Sequence, residues 1–279
     1  MKISKVSPIY KHGNKTDLNN YRPISILPAL SKILEKLLYN RLEIFINENN
    51  ILSDSQYGFR KNRSTTSAII DLNDHILKNF DKKYYTVGVF LDLKKAFDCV
   101  VHNILIKKLE HYSIRGIPLN LLNSYLFNRY QFTQYNKSVS TKKRLSFSIP
   151  QGSILGPLLF NIYINDITKI TDKLIPILFA DDSCFYYSHP IISELINTIN
   201  NELMNVSSWL ISNKLTLNHA KSHYIIFNRK LNIPLNLEPV IINNITINRV
   251  FETTFLGLLV KQNLKWDGHI KLLANKVNK

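Results

Sequence analysis

Three aspartates stand where apolar runs stop. Asp92 ends the β-branched and aromatic run at 84–91, and Asp181-Asp182 separate the apolar runs 174–180 and 183–187. An isolated aspartate at a strand end is commonly a turn residue or a cap. Several clustered carboxylates, however, repel one another unless a cation offsets them. Hard oxygen ligands suit Mg²⁺, which also takes phosphate oxygens and waters. Two such ions can activate an attacking hydroxyl and stabilise the leaving oxygen of an in-line phosphoryl displacement. Nucleotidyl transfer fits such a constellation.

The acids can meet only if the surrounding elements bring them together. Residues 84–91 read as a buried strand delivering Asp92, and apolar run, two acids, apolar run reads as a hairpin with Asp181 and Asp182 at its tip. Upstream, 7–15 reads as a strand and a basic loop. Apolar positions Ile33, Leu34, Leu37, Leu38, Leu42 and Phe45 predict a helix from Leu30 to about Asn49, and Ser64 is a candidate N-cap for a second helix. Helices are expected around 104–111, 119–127, 158–167 and 192–210. Short strands are expected at 131–135, 144–149, 224–227, 240–247 and 254–260, and 150–152 reads as a turn. His102, four residues after Asp98, reads as half of a structural pair at a helix start. No flexible linker is visible, which predicts that the subdomains pack as one unit.

The chain has 279 residues, 45% of them hydrophobic, enough for one large core or two modest ones. Lys and Arg number 36 against 20 Asp and Glu, a formal charge of +16 that favours polyanionic partners through phosphate neutralisation. A phosphohydrolase with an acidic nucleophile fits that charge poorly. Clusters such as Lys82-Lys83, Lys94-Lys95, Lys107-Lys108 and Lys142-Lys143-Arg144 are solvated faces or phosphate tracks. Cys99 and Cys184 are too few for a disulfide framework or a zinc module. Without an apolar leader or a bilayer-spanning run, an intracellular protein with no membrane partner is expected.

Phe90-Leu91-Asp92-Leu93-Lys94-Lys95-Ala96-Phe97-Asp98, Pro150-Gln151-Gly152-Ser153-Ile154-Leu155-Gly156-Pro157 and Phe179-Ala180-Asp181-Asp182 resemble, in order, the three central blocks of reverse transcriptases. Phe before Ala-Asp-Asp, with Asn20-Tyr21-Arg22-Pro23-Ile24-Ser25 and Gln56-Tyr57-Gly58-Phe59-Arg60, is similar to the non-LTR, jockey-like retrotransposons. The resemblance implies an α+β fold of right-hand polymerase fingers and palm, with an antiparallel palm sheet packed on helices and a thumb absent or truncated. Fingers would occupy 1–83 and palm 84–250, with fingers elements between about 115 and 150. Primer-grip-like strands and the start of a truncated thumb would occupy 251–279. The implied activity is RNA-directed DNA synthesis with two Mg²⁺ ions, Mn²⁺ being a possible substitute. Its partners would be an RNA template, a DNA primer or target DNA, and deoxynucleoside triphosphates, in the nucleus and cytoplasm. A decayed or truncated copy that binds RNA without synthesis is the alternative.

The same resemblance names further residues. Asp92, Asp181 and Asp182 become metal ligands. Lys11 and Arg22 would meet the triphosphate, with Lys15 as an alternative to Lys11; Arg can fork onto two phosphate oxygens while Lys acts as a point charge. Phe97 would lie beneath the incoming sugar and leave no room for a 2′-hydroxyl. Gln151 can present its amide to the nucleotide while Gly152 permits close backbone approach, although Ser148-Ile149 stands where the family commonly has Gly-Val. Lys221, in Asn218-His219-Ala220-Lys221-Ser222, would protonate departing pyrophosphate as a general acid. Phe255, Leu256 and Gly257 would form the primer grip.

Overall fold

In the computed structural model, which describes residues 2–229, 233–234 and 236–278, strands β1 (Ile3–Tyr10) and β2 (Tyr21–Ile26) open the chain. Helices α1 (Ala29–Glu48) and α2 (Thr65–Asp81) follow, then strand β3 (Tyr85–Leu91). Next come α3 (His102–His111), α4 (Gly116–Leu126), β4 (Arg129–Tyr135), β5 (Ser138–Val139), β6 (Lys143–Leu145) and α5 (Gly156–Ile164). Strands β7 (Ile175–Phe179) and β8 (Asp182–His189) precede α6 (Ile192–Ser212) and β9 (His223–Phe227). The remainder holds β10 (Ile241–Ile242), β11 (Ile245–Thr246), β12 (Asn248–Arg249), β13 (Glu252–Phe255), β14 (Leu258–Lys261) and α7 (Asp267–Val277). No described helix is long and apolar enough to cross a membrane.

Contacts gather into two compact units, Met1–Ser53 with Lys95–Asn165, and Asp54–Lys94 with Asp166–Lys279. Each unit is discontinuous in sequence, and the chain changes unit in the loop at 53–54, the turn at 94–95 and the 3-10 turn at 165–166. Helix α2 packs against β3 and β7 within the second unit.

In the first unit, β2, β1, β4 and β5 form a sheet in that order, with β6 also on β4. Helix α5 is apolar apart from Asn161, and of its nine residues only Pro157 is not buried, so it lies in the unit's core. Its proline sits in the first turn, where a missing N–H costs nothing. Helix α1 has the expected extent but a different buried face. Ser31, Glu35, Leu42 and Ile46 face inward, while Ile33, Leu34 and Leu37 are exposed. The reason is polar: Glu35 accepts from Ile154 N at 2.7 Å and from the Tyr125 hydroxyl at 3.1 Å. His102 begins α3 as expected, but its Nε2 donates to the Ser148 carbonyl at 2.8 Å, and Asp98 instead meets Gln151.

In the second unit, the sheet order is β12-β9-β3-β8-β7, with β3 antiparallel to both β8 and β9. Phe90, Cys184, Tyr186, Ile225 and Phe227 pack with Ala68, Leu72 and Ile76 of α2. Strand alternation sends Val87, Val89 and Phe185 to the other face, where α6 packs on β3 and β8. Coverage on both faces explains why β3 is apolar from Val87 to Leu91. Ser64 caps α2 as expected, its hydroxyl accepting from Ser67 N while the Ser67 hydroxyl accepts from Ser64 N. The expected strand at 240–247 is instead the hairpin β10–β11, with Asn243 and Asn244 both at positive φ in its turn. Helix α7, which the sequence reading leaves out, buries no residue.

Candidate active site

Register brings the acids together. Leu91 pairs with Ser183, so the next step places Asp92 beside Asp182 at the end of the β3–β8 ladder. Phe179 pairs with Asp182, which leaves Ala180-Asp181 as a two-residue turn with Ala180 at φ 55. Both features lie in the second unit.

Asp92 is tied down by the segment after α6. Its N–H donates to Ser222 Oγ at 3.2 Å, its carbonyl accepts from Asn218 N at 2.8 Å, and its Oδ2 accepts from Asn218 Nδ2 at 2.8 Å. Leu93 bridges Leu217, and Lys94 N donates to Thr216 O. Asn218 therefore fixes one oxygen of the carboxylate and leaves the other to a ligand. Partial burial, followed by the charges of Asp181 and Asp92, pushes the Asp182 carboxyl up to about 6. Among the described residues no three His, Cys, Asp or Glu side chains form a ready-made metal site. The donor set still fits Mg²⁺, which is commonly held by one or two carboxylates with substrate phosphates and water completing its shell. The mutual repulsion recorded at Asp182 is what a cation would relieve.

A cavity of about 180 Å³ is lined by Asp92, Asp182, Lys221, His223, Thr253 and Phe255, among others. It joins Asp92 and Asp182 to Lys221 and to β13. Phe255 is buried, its ring 5.2 Å from Phe90, and the turn after it runs through Leu256 and Gly257 at φ 49 and 86. His223, which the sequence reading does not single out, stacks on Phe90 with centroids 5.5 Å apart. Its Nδ1 donates to the Lys221 carbonyl at 2.8 Å, and its Nε2 lies 2.5 Å from Thr253 Oγ1. A larger cavity of about 540 Å³, lined by Tyr57, Asp71, His75 and Tyr186 among others, contains none of the three aspartates.

The remaining residues singled out by sequence lie in the first unit. Lys11 and Arg22 are exposed around the β1–β2 connection, where Lys11 N donates to Asn20 O at 2.9 Å and Arg22 pairs with Ile9. Phe97, half-buried in the short 3-10 turn Ala96–Cys99, stacks on Phe160 at 4.5 Å. Gln151 O accepts from Ser25 N at 2.7 Å, and its Nε2 lies 3.4 Å from both carboxyl oxygens of Asp98. Burial raises the Asp98 carboxyl against the opposing pull of Lys95 and Gln151. Gly152 has φ 107, and a Cβ there would fall 2.9 Å from Ser25 O, so both conformation and space require glycine.

Two buried supports, Glu35 and Gln56, carry no assignment from sequence. Glu35 lies four residues after Ser31 and seven before Leu42, on one helical face, and that phase is the signal that could have found it. Gln56 belongs to a recognised block, but nothing in its spacing indicates what its amide meets.

The family model for "Reverse transcriptase (RNA-dependent DNA polymerase)" matches residues 9–265. The probable RNA-directed DNA polymerase from transposon BS of Drosophila melanogaster is 31% identical, over 99% of this chain and 31% of that protein. Its counterpart from the X-element of the same fly is 30% identical, over 96% of this chain and 30% of the relative. The RNA-directed DNA polymerase of the mobile element jockey, also from Drosophila melanogaster, is 28% identical over 96% of this chain and 30% of its own. This chain thus spans about a third of the length of these relatives. Telomerase from Candida tropicalis, solved with a fragment of telomeric RNA, superposes with a TM-score of 0.61 at 13% identity, over 96% of this chain and 45% of that one. At that identity the likeness speaks for the fold alone.

Proposed function

Because the chain belongs to the reverse transcriptase (RNA-dependent DNA polymerase) family, we propose that it copies an RNA template into DNA during non-LTR retrotransposition, adding deoxynucleotides to a primer 3′-hydroxyl. The observation that carries this reading is the strand register that sets Asp182 beside the end of the Asp92 strand. Asp92, Asp181 and Asp182 would hold two Mg²⁺ ions, or Mn²⁺ in their place. Bound there, the metal would supply charge neutralisation at the attacking and leaving oxygens.

The chain's own groups do the rest. Asn218 orients the Asp92 carboxylate by donating a 2.8 Å hydrogen bond from its side-chain amide. Lys221 is assigned the proton for departing pyrophosphate, a role supported by its sharing a cavity with Asp92 and Asp182. Phe255, Leu256 and Gly257, on a hairpin bordering that cavity, are assigned to the primer end. Lys11 and Arg22 are assigned to the triphosphate, Phe97 to the sugar, and Gln151 with Gly152 to the nucleotide as a whole. A charge of +16 supports polyanionic partners, the RNA template and the DNA primer or target. Nucleus and cytoplasm are the proposed locations.

Primer extension on an RNA template with Mg²⁺, beside an Asp181→Ala control, tests the reading. Deoxynucleotide-dependent extension that disappears in the control is expected. A folded preparation that binds RNA but extends no further than the control would replace the polymerase reading with that of an RNA-binding copy.

A further inference from the structure

The turn that carries Asp181 is held from outside its own hairpin. Leu178 N donates to Ser55 O at 2.9 Å, and Leu178 O accepts from Tyr57 N at 2.8 Å. Between these backbone bonds the Gln56 side chain turns inward, where its Oε1 accepts from Gly58 N at 2.8 Å and from Ala180 N at 3.3 Å. The residue is 1% exposed, and its Nε2 has no hydrogen-bond partner among the described residues. Burying an unmatched amide donor is unfavourable, so the side chain's contribution lies at its acceptor end. A flipped amide would aim N–H groups at two backbone N–H groups, so the orientation follows from chemistry.

Ala180 needs that support. Its φ of 55 is left-handed, a conformation that the Cβ of an L-residue disfavours. The approach is also close: a Cβ on Gly58 would fall 2.4 Å from Ala180 N and 2.9 Å from the Phe179 carbonyl carbon.

We propose that Gln56 is a positioning residue for the active-site carboxylates, its amide oxygen holding Ala180 in the left-handed turn that presents Asp181 and Asp182. The consequence for synthesis rests on the polymerase reading, whereas the contact itself does not. In Gln56→Met, which keeps length and apolar bulk but removes the acceptor, the Ala180 amide should exchange with deuterium at least about tenfold faster. Val89 and Ile225, inside the sheet, should keep wild-type rates. Mn²⁺ affinity, read by water-proton relaxation, should weaken by about tenfold, and single-nucleotide incorporation should slow by roughly tenfold to a hundredfold. The deoxynucleotide concentration for half-maximal rate should stay within about twofold. Gln56→Glu retains the acceptor and should retain Ala180 protection.

Unchanged Ala180 exchange in Gln56→Met would overturn the proposal, as would equal loss of protection in Gln56→Glu. Faster exchange with wild-type Mn²⁺ affinity and wild-type incorporation would overturn it too. A wild-type chain that incorporates nothing, with Gln56→Met still changing exchange and Mn²⁺ affinity, would remove the polymerase reading and leave the positioning role standing. Should Gln56→Met fail to fold, Gln56→Leu also lacks the acceptor, and the same exchange and Mn²⁺ measurements decide.

Discussion

Replacing Glu35 by Met or by Gln separates two kinds of loss at one buried site. Glu35 is 1% exposed and takes two donors on separate oxygens, Tyr125 Oη at 3.1 Å and Ile154 N at 2.7 Å. Glu35→Met strands Ile154 N–H and takes one of two partners from the Tyr125 hydroxyl, which keeps Ser153; an unmatched buried donor costs about 1–3 kcal/mol and a lost bond about 1, so roughly 2–4 kcal/mol is expected. In Glu35→Gln the amide oxygen can accept from Ile154 N–H while the amide N–H₂ donates to the Tyr125 hydroxyl, which is able to accept. Only charge assistance is lost, and about 1 kcal/mol is expected. Tyr125→Phe made in the wild type and in Glu35→Met measures the Glu35–Tyr125 coupling by a double-mutant cycle. Both tryptophans, Trp209 and Trp266, belong to the other compact unit, so urea unfolding should be followed by circular dichroism rather than fluorescence. A Met variant within about 0.5 kcal/mol of wild type, or a Gln variant as unstable as Met, would refute the assignment of Glu35 as a satisfied buried acceptor.

Two further outcomes follow from the geometry. The Asp182 carboxyl is raised to about 6 in the fold by burial and by Asp181 and Asp92. Its contribution to stability is therefore complete below the unfolded value near 4 and is lost as pH rises through about 6. Without divalent ions, melting temperature should fall across that window, Asp182→Asn should flatten the fall, and a slope unchanged by the substitution would count against the shared field. Phe97→Val should relax selection of deoxynucleotides over ribonucleotides in a competition assay. It should also lose stacking on Phe160 worth roughly 0.5–1.5 kcal/mol beyond burial, and unchanged discrimination would reject the sugar-contact role.

Much of the second unit's sheet was legible because its signals are local. An apolar run ended by Asp92, and two runs split by Asp181-Asp182, can pair only with their acids at one end, since side chains alternate and a slipped register would expose a core face. The extent of α1 and the cap at Ser64 were legible for the same reason, as periodicity and capping act within a few residues. The inward face of α1 was not, because apolar positions on neighbouring faces compete and the choice went to the face whose Glu35 meets Tyr125 and Ile154, 90 and 119 residues away. The β10–β11 turn was missed although Asn243-Asn244 is turn chemistry, and α7 was missed although Ile270, Leu273 and Val277 recur at helical spacing.

Sequence by itself determined the chemistry this chain can offer: three carboxylates at strand ends, a basic surface and the blocks that mark its family. Tertiary structure alone decided which groups steady them. The Asn218 amide on Asp92 and the Gln56 amide on Ala180 are bonds between residues 126 and 124 positions apart. Hydrogen bonds of that separation leave no periodic trace, because neither partner's neighbours in sequence need change for the bond to form.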